Sequence, residues 1–234
     1  MSEPHPNACI VEIIPETPTV ARVVLELEGA FAFLPGQWVD FGVPRGDSVA
    51  VGGYSLASEP STLPRIELGI RLNEAHTVSR WIHHEAKPGD RVIVQGGSGE
   101  CVYRPSDGDS VVFVAGGIGI TPPLSMIRGA LKSEVNFGAH LFYSARSADE
   151  LAFLTDLKAL ATDPRFELYT TTSGTARDDG WTGRRGRWDV ETIHSGRERA
   201  VFYLFGPPPM VDGLWEGLLA AGVPERRLRT ERWW

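Results

Sequence analysis

The stretch Val111-Val112-Phe113-Val114-Ala115-Gly116-Gly117-Ile118-Gly119-Ile120-Thr121-Pro122 constrains this chain more than any other. Its first half is a continuous β-branched and aromatic run, the pattern of a parallel strand covered on both faces. Three glycines follow, which allow a tight turn and a close backbone approach to a ligand. Pro122 suits the first turn of a helix, where its missing N–H costs nothing. That helix continues through Leu124, Ile127 and Leu131, and its free N–H groups and positive dipole end predict an anion site. Strand, glycine-rich turn and helix together point to a dinucleotide phosphate.

The rest of the composition narrows the setting. With 234 residues the chain holds one large domain or two smaller ones, and the pattern along it favours two. A net charge of −7 argues against a general nucleic-acid binder, which needs clustered Lys and Arg. The basic run Arg184-Arg185-Gly186-Arg187, between Trp181 and Trp188, reads as a solvated loop. Cys9 and Cys101, the two cysteines, supply neither a disulfide framework nor a self-contained four-cysteine metal or iron–sulfur site. No metal site is expected, and the histidines lack a ligand spacing. Met1 to Asn7 is polar and proline-bearing, and no apolar run approaches the ~20 residues of a membrane span. The expectation is a soluble, cytoplasmic protein with no membrane partner.

Residues 8 to about 103 alternate short apolar runs with Gly and Pro turns: Ala8–Ile14, Thr19–Leu27, Gln37–Val43, Arg65–Leu72 and Arg91–Gln95. This spacing predicts an antiparallel barrel or sandwich, interrupted by one helix over Thr77–Glu85 with Val78, Trp81 and Ile82 inward. The turn-rich segment Arg104-Pro105-Ser106-Asp107-Gly108-Asp109 marks a boundary, giving domains of residues 1–105 and 106–234. Beyond it the rhythm becomes strand, loop, helix: Val111–Ala115 before Thr121–Leu131, His140–Ser144 before Leu151–Ala161, Phe166–Thr171, and Val201–Phe205 before Val211–Ala221. Such alternation predicts a doubly wound parallel sheet, with ligands outside the carboxyl ends of its strands.

A β domain followed by a nucleotide-type domain carries four motifs in order. They are Leu34-Pro35-Gly36-Gln37-Trp38-Val39, Gly52-Gly53-Tyr54-Ser55-Leu56-Ala57-Ser58, Gly116–Pro122 and Phe205-Gly206-Pro207-Pro208-Pro209-Met210. In this it resembles the ferredoxin–NADP⁺ reductase superfamily over nearly its whole length. The ending Glu231-Arg232-Trp233-Trp234 brings it nearest to the short oxidoreductase NAD-binding domain-containing subgroup.

The resemblance implies a flavin, FAD or FMN with FAD favoured, in the barrel, NADH or NADPH in the second domain, and hydride transfer where they meet. By position Tyr54 would flank the flavin ring and Ser55 would place a hydroxyl near its reactive nitrogen. Leu56, Ala57, Arg71, Val78 and Ser79 would complete the flavin site, with Ser79 and Arg71 toward phosphate. Gly116, Gly117, Gly119, Ile120, Thr121 and Pro122 would hold the nicotinamide nucleotide, with Gly206, Pro207, Pro208 and Met210 flanking it. Ser144, Arg146, Ser173 and Arg177 would lie near its adenosine end. Tyr54, Ser55, Thr121, Phe205 and Glu231 are the residues implied closest to the reacting rings. Trp233 and Trp234 would either cover the flavin face or seal the domain interface.

Two positions depart from the superfamily pattern. Arg-x-Tyr-Ser is here Gly52-Gly53-Tyr54-Ser55, without the arginine that pairs with flavin phosphate, and Phe205 stands where many members have a cysteine. The functional expectation is a flavin-dependent NAD(P)H oxidoreductase passing electrons to a separate acceptor. A non-catalytic flavin- or dinucleotide-binding module, or a subunit of a redox complex, is the alternative. A hydrolase is disfavoured because no Gly-x-Ser-x-Gly elbow occurs.

Overall fold

The computed structural model describes residues 6–104, 110–133, 137–174 and 180–231. Arg177, Trp233, Trp234 and the 105/106 boundary lie outside the described residues.

Among the described residues, the N-terminal part forms a six-stranded antiparallel sheet in the order β4-β3-β6-β1-β2-β5. Its strands are β1 (Ala8–Pro15), β2 (Val20–Leu27), β3 (Trp38–Arg45), β4 (Ser48–Ser55), β5 (Arg65–Arg71) and β6 (Arg91–Ser98). Period-two alternation drives the curl: Val23, Leu25 and Leu27 of β2 face inward with Val39, Phe41, Ile66, Leu68 and Val92, while Arg22 and Glu26 face out. The two edge strands approach each other at one isolated bridge, Leu56 to Leu68, so the sheet is barrel-like without a closing ladder. Helix α1 (Thr77–His84) packs against β3, β4 and β5 and buries Val78, Ser79 and Ile82. Trp81, expected inward, is half-buried.

Strand β4 is absent from the sequence expectation. Its inward positions carry Ala50, Gly52 and Tyr54, while Val49 and Val51 are exposed on the outer face. Small residues inside and apolar ones outside invert the usual hydrophobic signal.

The C-terminal part is a parallel sheet of six strands among the described residues, in the order β10-β9-β8-β7-β11-β12. These are β7 (Ser110–Gly116), β8 (Gly138–Ala145), β9 (Phe166–Thr172), β10 (Arg184–Arg185), β11 (Val201–Phe205) and β12 (Leu228–Arg229). The apolar run of β7 is buried on both faces: Val111, Phe113 and Ala115 join one core, Val112 and Val114 another. Helices α2 (Thr121–Leu131) and α3 (Leu154–Leu160) cover the first face, and α4 (Val190–His194) and α5 (Pro208–Ala220) the second. The chain moves outward from β7 through β8 to β9, then returns to the other side of β7 at β11. A crevice therefore opens at the carboxyl ends of β7 and β11, the switch point of the sheet.

Local differences from expectation have local causes. Helix α3 begins at Leu154 rather than Leu151, because Phe153 sits in the left-handed region with φ of 58°. Helix α5 begins at Pro208 rather than Val211, since prolines are tolerated in a first turn. Arg184 and Arg185, expected in a loop, pair with Thr171 and Thr172 as a two-residue edge strand. Arg184 lies 3.1 Å from Asp189 and 4.6 Å above the Trp188 ring. Among the described residues no helix is long and apolar enough to cross a membrane.

Candidate functional site

The switch-point crevice opens into a cavity of about 580 Å³ between the two sheets. Its barrel-side wall comes from Gly53, Tyr54 and Ser55 at the end of β4, Gly69 and Arg71 of β5, and His76 before α1. The opposite wall is Gly116, Ile118, Gly119, Thr121 and Pro122 after β7, with Phe205, Gly206, Pro207 and Pro208 after β11. Glu231 closes one side. Twelve residues singled out in the sequence thus share one space: Tyr54, Ser55, Arg71, Gly116, Gly119, Thr121, Pro122, Phe205, Gly206, Pro207, Pro208 and Glu231.

The glycines explain why these walls approach so closely. A Cβ at Gly69 would lie 2.6 Å from Thr121 Cγ2, so the β5 backbone and the start of α2 touch only because position 69 has no side chain. Gly119 fits against β11 in the same way: its Cβ would lie 2.8 Å from the Phe205 carbonyl and the Gly206 nitrogen. Gly116 abuts Met210 and Pro207, each at 2.9 Å from a would-be Cβ. Of the glycines in the turn, Gly117 has the left-handed backbone, φ of 55°, and its missing Cβ would point toward Arg71, 3.5 Å from Nη1.

The free amides around this turn differ from the sequence expectation. Helix α2 offers no free amide in its first turn, because the Thr121 N–H donates to the Ile118 carbonyl and Pro122 and Pro123 have none. Residues Gly117–Ile120 form a 3-10 turn, whose starting amides, those of Gly117 and Ile118, lack partners within it. Ile118 lines the cavity, and Gly117 does not. The α5 start is also closed: Pro207, Pro208 and Pro209 carry no N–H, and Met210 and Val211 both donate to the Pro207 carbonyl.

Side-chain electrostatics differ across the cavity. Tyr54 stands edge-on to Phe41 with ring centres 6.1 Å apart, and burial pushes its phenol up to about 12, so it stays neutral. The Thr121 hydroxyl donates to the Ile118 carbonyl at 3.1 Å. Burial raises the Glu231 carboxyl above its ordinary range, against the opposing effect of a 3.3 Å hydrogen bond donated by Trp38 Nε1. Among the described residues Arg71 has no carboxylate partner.

Several expected site residues lie elsewhere. Leu56, Ala57, Val78 and Ile120 are fully buried core residues. Ser79 is also buried, and its hydroxyl donates to the Asn73 carbonyl at 2.9 Å while accepting from the Asn73 amide at 3.2 Å. It serves the turn before α1 and does not line the cavity. Ser144 Oγ donates to the Ala115 carbonyl at 3.3 Å and lies 3.9 Å from Met210 Sδ, just behind the β7 wall. Arg146 and Ser173 are exposed at the ends of β8 and β9, where the Ser173 hydroxyl donates to the Ala145 carbonyl.

Two lining residues, Gly69 and His76, escaped the sequence reading, while Gly53 and Ile118 stood within its motifs without an assigned role. Gly69 carried a usable signal, an isolated glycine between Leu68 and Ile70 within a strand. A lone histidine such as His76 carried none.

A family model described as the oxidoreductase NAD-binding domain matches residues 113–215. The oxidoreductase NAD-binding domain-containing protein 1 of Danio rerio is 33% identical over 252 residues, covering 97% of this chain and 92% of the relative. The phenol hydroxylase P5 protein of Acinetobacter pittii is 30% identical over 232 residues, covering 97% of this chain and 65% of that protein. In structure the chain is similar to the Amycolatopsis cytochrome P450 reductase GcoB, with a TM-score of 0.84 at 25% identity, over 97% of this chain and 69% of that one. An antiparallel barrel-like sheet, a parallel sheet with its switch point at a shared cavity, and these likenesses agree: the chain belongs to the family of oxidoreductase NAD-binding domain-containing protein 1, within the ferredoxin reductase-like superfamily.

Proposed function

We propose that this protein is an NAD(P)H-dependent flavin oxidoreductase that passes electrons to a separate acceptor. The observation that carries the reading is the single cavity of about 580 Å³ walled by both sheets, a volume suited to two stacked cofactor rings. The residues present fit a flavin: a neutral aromatic wall at Tyr54, a hydroxyl at Ser55, a cation at Arg71 and glycine backbone at Gly53 and Gly69. A bound flavin supplies the chemistry, accepting two electrons from a nicotinamide and releasing them onward.

The chain's own residues bind and orient. Tyr54 holds one face of the ring by packing, and its phenol, neutral at physiological pH, adds no charge there. The amides of Gly117 and Ile118 receive the pyrophosphate of the nicotinamide nucleotide, with Gly206–Pro208 and Phe205 against its ring. Phe205 positions by packing, and hydride transfer needs no acid or nucleophile from this position. Burial raises the Glu231 carboxyl at the cavity edge above its ordinary range. The first sheet serves the flavin and the second the nicotinamide nucleotide. FAD is the proposed flavin, and the acceptor is a separate protein or small molecule, in keeping with relatives named as a phenol hydroxylase P5 protein and a cytochrome P450 reductase.

The test is an absorption spectrum of purified protein loaded with FAD or FMN, recorded anaerobically before and after NADH or NADPH. Bleaching of the flavin band is expected. A flavin that binds but is never bleached by either nucleotide would leave a binding module, and no flavin binding at micromolar concentration would remove the reading altogether.

A further inference from the structure

The barrel-side wall of the cavity holds His76, a side chain with no task in the reading above, as well as Arg71. His76 and Arg71 both line it and both are exposed. Among the described residues, neither is paired with a carboxylate. His76 reaches the cavity because position 52 is glycine: a Cβ there would lie 2.9 Å from His76 Cε1 and 2.9 Å from the Tyr54 ring. The imidazole thus occupies the space a side chain at position 52 would take. Arg71 lines the same cavity, with Nη1 3.5 Å from the Cβ position of Gly117 and hence beside the turn whose amides at Gly117 and Ile118 lack internal partners.

Other groups near this corner do not compete for an anion. The Ser79 hydroxyl is committed to the Asn73 backbone, Glu74 pairs with His84 at 3.1 Å, and Tyr54 is neutral. Arg80, one turn into α1, adds positive charge, and Glu231 is the one acid lining the cavity. Two nitrogen-bearing side chains on one cavity wall, Arg71 among them beside a turn whose first amides have no partner within it, make a receptor for a phosphate.

We propose that His76 and Arg71 clamp a phosphate of a nucleotide cofactor, His76 standing in the space left open by Gly52. The clamp rests on the nucleotide-binding reading above. Its chemistry suits the phosphate of a flavin nucleotide or that of a nicotinamide nucleotide, which binding measurements separate.

The experiment titrates wild-type protein, His76→Gln, His76→Lys and Arg71→Gln with riboflavin, FMN, FAD and NADH, following flavin fluorescence and nucleotide absorbance. A charge-assisted hydrogen bond lost from either residue should weaken its phosphate ligand by about ten- to a hundredfold. Weaker FMN and FAD binding with riboflavin unchanged, and recovery in His76→Lys, assigns the clamp to flavin phosphate. Weaker NADH binding with all flavins unchanged assigns it to the nicotinamide nucleotide. Riboflavin losing affinity in step with FMN would reveal a general structural role and overturn the proposal, as would unchanged affinity for every ligand. Failure of the wild type to bind any flavin would overturn the flavin reading itself, while the NADH arm would still decide the clamp.

Discussion

Glu231 puts a carboxyl where water is partly excluded, beside Trp38 and near Glu100, and its pKa rises because burial disfavours the charge. A carboxyl raised in the folded state binds its proton more tightly there than in the unfolded chain, so its favourable contribution exists at low pH and is lost as pH rises through the folded value. Glu231→Gln should therefore raise the melting temperature at pH 7 to 8, with the gain fading toward pH 4. An equal effect at both pH values would show that ionisation at this position is irrelevant to stability. The chemistry of single residues was partly legible: Tyr54, Arg71, Thr121 and Glu231 were marked by type and place, and all reach the cavity. Ser79 was marked too, yet its hydroxyl turned inward to the Asn73 backbone, a choice set by the conformation of the turn. His76 went unmarked because its access depends on a glycine 24 positions earlier in the chain.

At the scale of elements, β7 and the turn after it were readable because neighbouring residues define them: an unbroken apolar run, then glycines, then proline. The detailed work of each glycine was not. Gly119, a natural candidate for contact with phosphate, also lets the turn press against β11, where a Cβ would lie 2.8 Å from the Phe205 carbonyl. Gly119→Ala should consequently destabilise the fold by about 1–3 kcal/mol through overpacking, a fall of roughly 2–10 °C in melting temperature for a chain of this size. A melting temperature unchanged within a degree would show that β11 yields without cost. Prolines decide where free amides fall in the same way, since Pro122 and Pro123 silence the first turn of α2 and leave free donors to the 3-10 turn before it. Strand β4 shows the opposite limit, where Ala50 and Gly52 inside and Val49 and Val51 outside hide a strand from any pattern based on burial.

Across the whole molecule the two sheets are locked by a cluster of ion pairs remote in sequence. Arg22 of β2 meets Glu16 at 2.5 Å, Glu67 at 3.7 Å and Asp156 of α3, and its guanidinium lies 4.8 Å over the Phe153 ring. Arg128 of α2 contacts Glu67 at 2.8 Å and Asp156 at 3.6 Å, and donates to the Ala57 carbonyl at 2.9 Å. Glu16 also accepts the Phe153 amide at 2.9 Å, fixing the start of α3 to the barrel. Arg22→Met would leave three carboxylates around one remaining arginine, so it should cost about 3 kcal/mol at pH 7. Urea unfolding at pH 7 checks this, and equal stability of variant and wild type would show that the cluster does not hold the sheets together. The sequence alone determined the two rhythms of strand and helix, the change between them, and the glycine-rich turn, because each depends on residues close in the chain. Only the tertiary structure decided that positions 53–55, 69, 71, 76, 116, 118, 119, 121, 122, 205–208 and 231 share one cavity, and that Gly69 and Gly119 are the contacts that bring its walls together. Those meetings are set by the packing of one sheet on the other, and no local pattern of residues encodes a distance between them.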